Sequence, residues 1–170
     1  MRRLVILGFG GYGKTVEDVA IDAELYDEII FLDDNAVSGK VRGKCGDFAK
    51  FIGENTDIYP AFGNNELRIK WIDGIIAAGG NVPTIIHPKA YVSKNAEIAL
   101  GTTVLPCAVV NATAVIGKGC IINFGAVIDH NVTLGEGCHI CLNAAVKGYN
   151  TVPPFYKLEA GEVILNNTLK

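Results

Sequence analysis

Two groups of residues have types and spacings that can do chemistry. Gly8, Gly10 and Gly13, with Gly11 and Tyr12 between them, fit G-x-G-x-x-G directly after the apolar run Leu4-Val5-Ile6-Leu7. Such a loop turns tightly and lets backbone N–H groups approach phosphate oxygens. It also opens a helix whose N-terminus carries positive potential. Asp33 follows Gly13 by 20 residues and Asp34 adjoins it. An acidic side chain at that distance can hold a ribose hydroxyl. The second group is His130 with Asp129 directly before it. Histidine titrates in the range that a general base needs.

The elements around the glycine loop read as α/β. Val16, Val19, Ala20 and Ala23 recur at helical spacing, and Glu28–Leu32 is a second apolar run ending on Asp33-Asp34, which makes a βαβ unit. Asp57–Ala61 reads as a third strand. Leu67, Trp71, Ile75 and Ile76 mark a helix stopping at Gly79-Gly80, and Val82–Ile86 reads as a fourth strand. Residues 1–84 thus form a small Rossmann-like domain for a nucleotide, with too few strands for a full dinucleotide fold.

The histidines belong to a different pattern. From Ile86 to Ile164 every sixth residue is aliphatic, fourteen in succession. Four residues after each comes a compact residue: Ala90, Ala96, Thr102, Ala108, Ala114, Cys120 and onward to Ala144. A six-residue repeat predicts a parallel β-helix, three short strands to an 18-residue triangular coil, with aliphatics inside and small residues at the corners. Coils then stack at about 4.8 Å. Asn150, Tyr156 and Glu162 break the small-residue rule, which predicts regular coils only to about residue 148. Thr151–Tyr156, with Pro153 and Pro154, is the expected C-terminal cap of a domain spanning 85–170. Cys120 and Cys138 are 18 apart, so they should stack as reduced corner fillers, and no cysteine has metal-ligand spacing. His87, His130 and His139 are separated by 43 and 9 residues, neither a multiple of 18, so no metal edge is expected.

Composition fits this division. The chain has 170 residues, a net charge of −3, 49% apolar and 19% charged residues. Of the charged side chains, 22 lie in residues 1–84 and 11 in 85–170. The acidic balance without a basic cluster argues against a nucleic-acid partner. No apolar run is long enough for membrane insertion. The opening residues lack a signal-peptide pattern, so a soluble, cytoplasmic protein is expected. A short prism with apolar outer faces predicts a homotrimer.

The stretch Ile121-Ile122-Asn123-Phe124-Gly125-Ala126-Val127-Ile128-Asp129-His130 closely resembles bacterial nucleotide-sugar acetyltransferases. They are the sialic acid O-acetyltransferase and bacillosamine N-acetyltransferase type, of the left-handed β-helix superfamily. Gly8-Phe9-Gly10-Gly11-Tyr12-Gly13-Lys14 and Asp33-Asp34 match the same family. The resemblance implies acetyl-CoA as acyl donor, without a metal, and a nucleotide-linked amino sugar, often UDP-linked, as acceptor. It implies that the glycine loop and the two aspartates hold the nucleotide. His130 is then the general base near a subunit boundary, Asn123 lies near the acceptor, and His139 and Gly148 line the thioester cofactor. Relatives commonly have an acidic residue after the histidine, where Asn131 stands here, which makes Asp129 the candidate carboxylate beside the base; Glu136 is another candidate. Tyr12 replaces a frequent histidine. The alternative is a non-catalytic trimeric nucleotide-sugar scaffold without CoA binding, which an early cap would favour.

Overall fold

The computed structural model describes residues 1–165, so the last five residues of the expected second domain lie outside the description. It divides into two compact units, Met1–Pro83 and Thr84 onward.

In the first unit, strand β1 (Arg3–Leu7) is flanked in parallel by β2 (Glu28–Leu32) and β3 (Thr56–Pro60), giving the order β2-β1-β3. Leu4 to Leu7 are fully buried, as expected for a central parallel strand covered on both faces. Helix α1 (Gly11–Asp22) turns Val16, Val19 and Ala20 inward. A 3₁₀ helix at Cys45–Phe51 precedes β3. Helix α2 (Asn65–Ala77) starts at Asn64, whose side-chain oxygen accepts the Leu67 N–H at 2.8 Å. It ends where Gly79, at φ +84°, donates to the Ile76 carbonyl and Gly80 to that of Ile75, a Schellman arrangement.

The expected fourth strand is not part of this sheet. Asn81 makes one parallel bridge with Asp57, Val82 enters the core, and Ile85–Ile86 is the first strand of the β-helix. Pro83, which has no N–H, interrupts the run between them.

The second unit is the expected left-handed β-helix of hexapeptide repeats. Its first face stacks Ile85–Ile86, Thr103–Val104, Ile121–Ile122, His139–Ile140 and Lys157–Leu158. The second stacks Tyr91–Val92, Val109–Val110, Val127–Ile128, Ala145–Val146 and Val163–Ile164. The third stacks Glu97–Ile98, Val115–Ile116, Thr133–Leu134 and Thr151–Val152. All pairings are parallel at an 18-residue offset, with the aliphatic second residue of each strand inside. Cys120 and Cys138 are buried corner residues whose thiols donate to the Gly135 and Pro153 carbonyls at 3.2 Å.

Two features were not anticipated. Coils do not end near residue 148: Thr151–Val152, Lys157–Leu158 and Val163–Ile164 continue all three faces in register, so Thr151–Tyr156 is not a cap. The aliphatic column decides, since Val152, Leu158 and Ile164 remain buried. The corner rule relaxes around it. Asn150 is buried with its amide donating to the Lys147 carbonyl at 2.8 Å, and Tyr156 packs against the same core. The second feature is a backbone period. From Gly101 to Gly161 every sixth residue has positive φ, including Cys107, Thr113, Asn131, Asn143, Tyr149 and Phe155. From residue 119 on, each donates its N–H to a carbonyl 19 residues earlier, as Asn131 does to Ala112 and Tyr149 to His130. The corners are therefore hydrogen-bonded between coils as the strands are.

Candidate active site

The glycine loop contains glycines of two kinds. Gly8 has φ +102°, and a Cβ there would lie 3.3 Å from the Ala61 carbonyl oxygen; a side chain on Gly13 would collide with the Gly8 carbonyl. The fold itself requires these two. At Gly10 and Gly11 a Cβ would meet nothing within 4 Å. Gly10 caps α1 without a side-chain hydrogen bond, no acidic residue lies in the first turn, and Lys14 sits over the Phe9 ring at 4.8 Å. An exposed backbone of this kind, beside a helix N-terminus, suits an anion. The Tyr12 hydroxyl lies 2.8 Å from that of Tyr59.

Asp33 is turned toward this loop. One carboxylate oxygen accepts the Phe9 N–H at 2.8 Å, and the other accepts those of Asn35 and Ala36 at 2.8 and 2.7 Å. These bonds, Phe9 first, hold its carboxyl below the usual carboxylate range. The side chain expected to meet a ribose thus also ties β2 to the glycine loop. Asp34 is exposed, with one oxygen accepting the Cys45 N–H at 3.1 Å.

In the second unit, the corner between the second and third faces carries His130, with its side chain 45% exposed. Its Nδ1 lies 3.0 Å from Asn131 Oδ1. An amide oxygen only accepts, so this contact places the proton on Nδ1 and leaves Nε2 with its lone pair. Asn131 has φ 57°, a conformation that asparagine tolerates better than most side chains. Asp129 lies one place before His130. Its Oδ1 accepts the His130 N–H at 2.7 Å and Asn111 Nδ2 at 3.1 Å, and its Oδ2 accepts the Gly148 N–H at 3.1 Å. The same Oδ2 is 3.9 Å from His130 Nε2. The His130 N–H foremost, these partners keep the Asp129 carboxyl lowered and charged. Glu136 pairs with Lys118 at 3.2 Å instead. A Cβ on Gly148 would lie 2.9 Å from His130 Cε1, so that glycine makes room for the ring. Tyr149, at φ 62° and 70% exposed, meets the imidazole edge-to-face at 5.2 Å between centroids.

Asn123 and His139 lie elsewhere. Asn123 starts the corner between the first and second faces, and His139 points outward from the first face. Asn123 Nδ2 is 3.1 Å from His139 Nε2, so the amide donates and the ring nitrogen accepts. Cys141, 18 residues beyond Asn123, is buried, which raises its thiol. The structure therefore joins His130 with Asp129 and Gly148, and Asn123 with His139, as two clusters at different corners of one chain. Sequence reasoning missed Asn111, the cross-coil role of Asp129, and Tyr149. The signal available for the first two was the 18-residue offset from 111 to 129, and for Tyr149 an aromatic at the third place after an aliphatic.

Among the described residues no group of three or more His, Cys, Asp or Glu could hold a metal ion, and no helix is long and apolar enough to cross a membrane.

Comparison with known proteins supplies the family. The PglD N-terminal domain profile matches residues 3–75. The acetyltransferase domain of PglB from Neisseria gonorrhoeae is 33% identical, with a TM-score of 0.87, covering 97% of this chain and 92% of that one. The same domain in complex with acetyl coenzyme A is 33% identical, with a TM-score of 0.86 and coverage of 96% and 91%. PerB from Caulobacter crescentus, in complex with CoA and GDP-perosamine, is 25% identical, with a TM-score of 0.83 and coverage of 97% and 89%. No curated protein sequence matches. With its two-unit order, its glycine loop and its histidine-bearing hexapeptide corner, the chain belongs to the hexapeptide-repeat sugar acetyltransferases with a PglD-type N-terminal domain.

Proposed function

We propose that the chain moves an acetyl group from acetyl-CoA to the amino group of a nucleotide-linked, in particular UDP-linked, sugar. The observation that carries this reading is the Asn131–His130 contact at 3.0 Å, which orients the ring and leaves Nε2 able to accept a proton. The sugar amine attacks the thioester carbonyl and forms the C–N bond while Nε2 takes its proton. Collapse of the tetrahedral intermediate breaks the C–S bond, and the imidazolium returns the proton to the departing CoA sulfur. The Asp129 carboxylate, 3.9 Å from Nε2, supplies negative charge beside the imidazolium where relatives use an acidic neighbour after the histidine. Exposed backbone at Gly10 and Gly11, with Lys14 nearby, suits the acceptor's diphosphate, and Asp34 with the Asp33 turn suits its nucleoside.

A homotrimer accounts for the two separated clusters. On the second face the outward residues Tyr91, Val109, Val127, Ala145 and Val163 form an unbroken apolar ladder, while three of the four outward residues on the third face are polar. If the apolar ladder faces a threefold axis, its two edges meet the neighbours' edges. His130 of one protomer then lies beside the partner subunit's Asn123 and the partner subunit's His139, with CoA between them. The free cysteines suit a reducing, cytoplasmic compartment.

The test is thiol release from acetyl-CoA with a panel of UDP- and GDP-linked amino sugars, with His130→Ala beside the unaltered protein and mass determination in solution. Turnover by the trimer that the variant lacks is the expected result. Absence of both turnover and CoA binding would overturn the reading in favour of a nucleotide-sugar scaffold, and turnover with GDP-linked sugars alone would overturn the UDP assignment.

A further inference from the structure

Among the described residues of the His130 corner, Tyr149 is an aromatic side chain that neither the backbone nor the core explains. The position belongs to the series at positive φ, where Gly101, Gly119, Gly125, Gly137 and Gly161 meet the requirement without a steric cost. A tyrosine there is strained, and such strain persists where the surroundings or the function demand it. Packing within the protomer does not demand it, because the residue is 70% exposed there while the aliphatic column of the same coil is closed by Val146 and Val152. Nor does the inter-coil hydrogen bond, since the Tyr149 N–H to the His130 carbonyl at 3.3 Å uses only backbone atoms. What the side chain does touch is the His130 ring, edge-to-face at 5.2 Å. Phe155, the other aromatic of the series, lies at the corner between the third and first faces, away from that ring.

We infer that the Tyr149 ring is the platform on which the acceptor sugar stacks through its C–H face, fixing the amine at His130 Nε2. This rests on the acetyltransferase reading above and adds an acceptor-specific residue to it. An aromatic ring offers a rigid apolar surface with a polar tip, and a pyranose offers a complementary face of C–H groups. Platform contacts bind ground state and transition state alike, so their loss falls on the acceptor KM rather than on kcat.

Tyr149→Gly is the informative variant, because glycine relieves the positive φ and removes the ring without burying anything new. Expected are a rise of about tenfold or more in the acceptor KM, an unchanged KM for acetyl-CoA, little change in kcat, and an unaltered trimer with equal or higher thermal midpoint. Tyr149→Phe should behave as the unaltered protein. An unchanged acceptor KM in Tyr149→Gly, with the parent protein active, overturns this inference alone. So does dissociation of Tyr149→Gly into monomers, which would make the ring an assembly contact, or equal impairment by Tyr149→Phe, which would assign the effect to the hydroxyl. A parent protein with neither turnover nor CoA binding overturns the acetyltransferase reading and this inference together.

Discussion

The two units place candidate chemistry in opposite relations to stability. In the first, the same residues do both: Asp33 braces the glycine loop through the Phe9 N–H and its own turn through those of Asn35 and Ala36, Gly8 holds φ +102°, and Gly13 has no space for a side chain. In the β-helix, the aliphatic residue of each hexapeptide and the compact residue four places on fill the core, and outward side chains can differ. His130, Asn131 and Tyr149 all project from a corner whose interior is closed by other residues. Chemistry and folding are therefore separable by substitution in the second unit and entangled in the first.

The sharpest way to break this contrast is His130→Ala. Turnover should fall about 1,000-fold while the thermal midpoint stays put; a large drop in midpoint would show that the corner is structural after all. Gly13→Val should do the reverse and destabilise the first unit by about 3 kcal/mol, read by urea unfolding, because its side chain meets the Gly8 carbonyl. Asp33→Ala comes next, at about 2 kcal/mol for hydrogen bonds to a charged group.

Its pH signature sharpens the assignment. The Asp33 pKa is lowered on folding, so its contribution is complete above the unfolded carboxylate value near 4 and fades as pH falls through the lower folded value. Urea midpoints measured from pH 7 down to pH 2 should therefore converge for Asp33→Ala and the parent protein at the acid end. Parallel curves would remove Asp33 as the brace. Asn131→Gly keeps a residue suited to positive φ but deletes the amide, so kcat should fall about tenfold with stability unchanged. The smallest expected effect is Gly10→Ala, within about 0.5 kcal/mol in stability, yet with weaker binding of UDP by calorimetry. A stability loss as large as that at Gly13 would erase the distinction between the two kinds of glycine.

What the sequence disclosed follows the same division. The aliphatic period gave the aliphatic column of the β-helix core from Ile86 to Ile164, and the run Glu28–Leu32 gave β2 to the residue, because burial alone determines both. The end of the coils was misread at Asn150, since a corner can accept an asparagine that finds its own carbonyl partner, which composition does not reveal. Val82–Ile86 looked continuous but is divided between two units, because apolar runs carry no label of which core they enter. Around His130 the residue types were legible and their wiring was not. That Asp129 reaches Asn111 and Gly148 depends on an 18-residue neighbourhood invisible to local reading. That the Asn131 amide reaches the His130 ring depends on a backbone angle.

The 18-residue coil also acts as an angular coordinate. Residue number modulo 18 fixes the direction in which a side chain leaves the prism, whereas the interior repeats every six. Deleting residues 131–136 would preserve the aliphatic spacing downstream, yet turn everything beyond by a third of a revolution, moving His139 onto the place that Thr133 holds on the third face. Removing a whole coil instead would restore every bearing and cost only length. Insertions in this architecture are thus rotations first and extensions second, so two chains with equally good cores can aim their histidines at different neighbours.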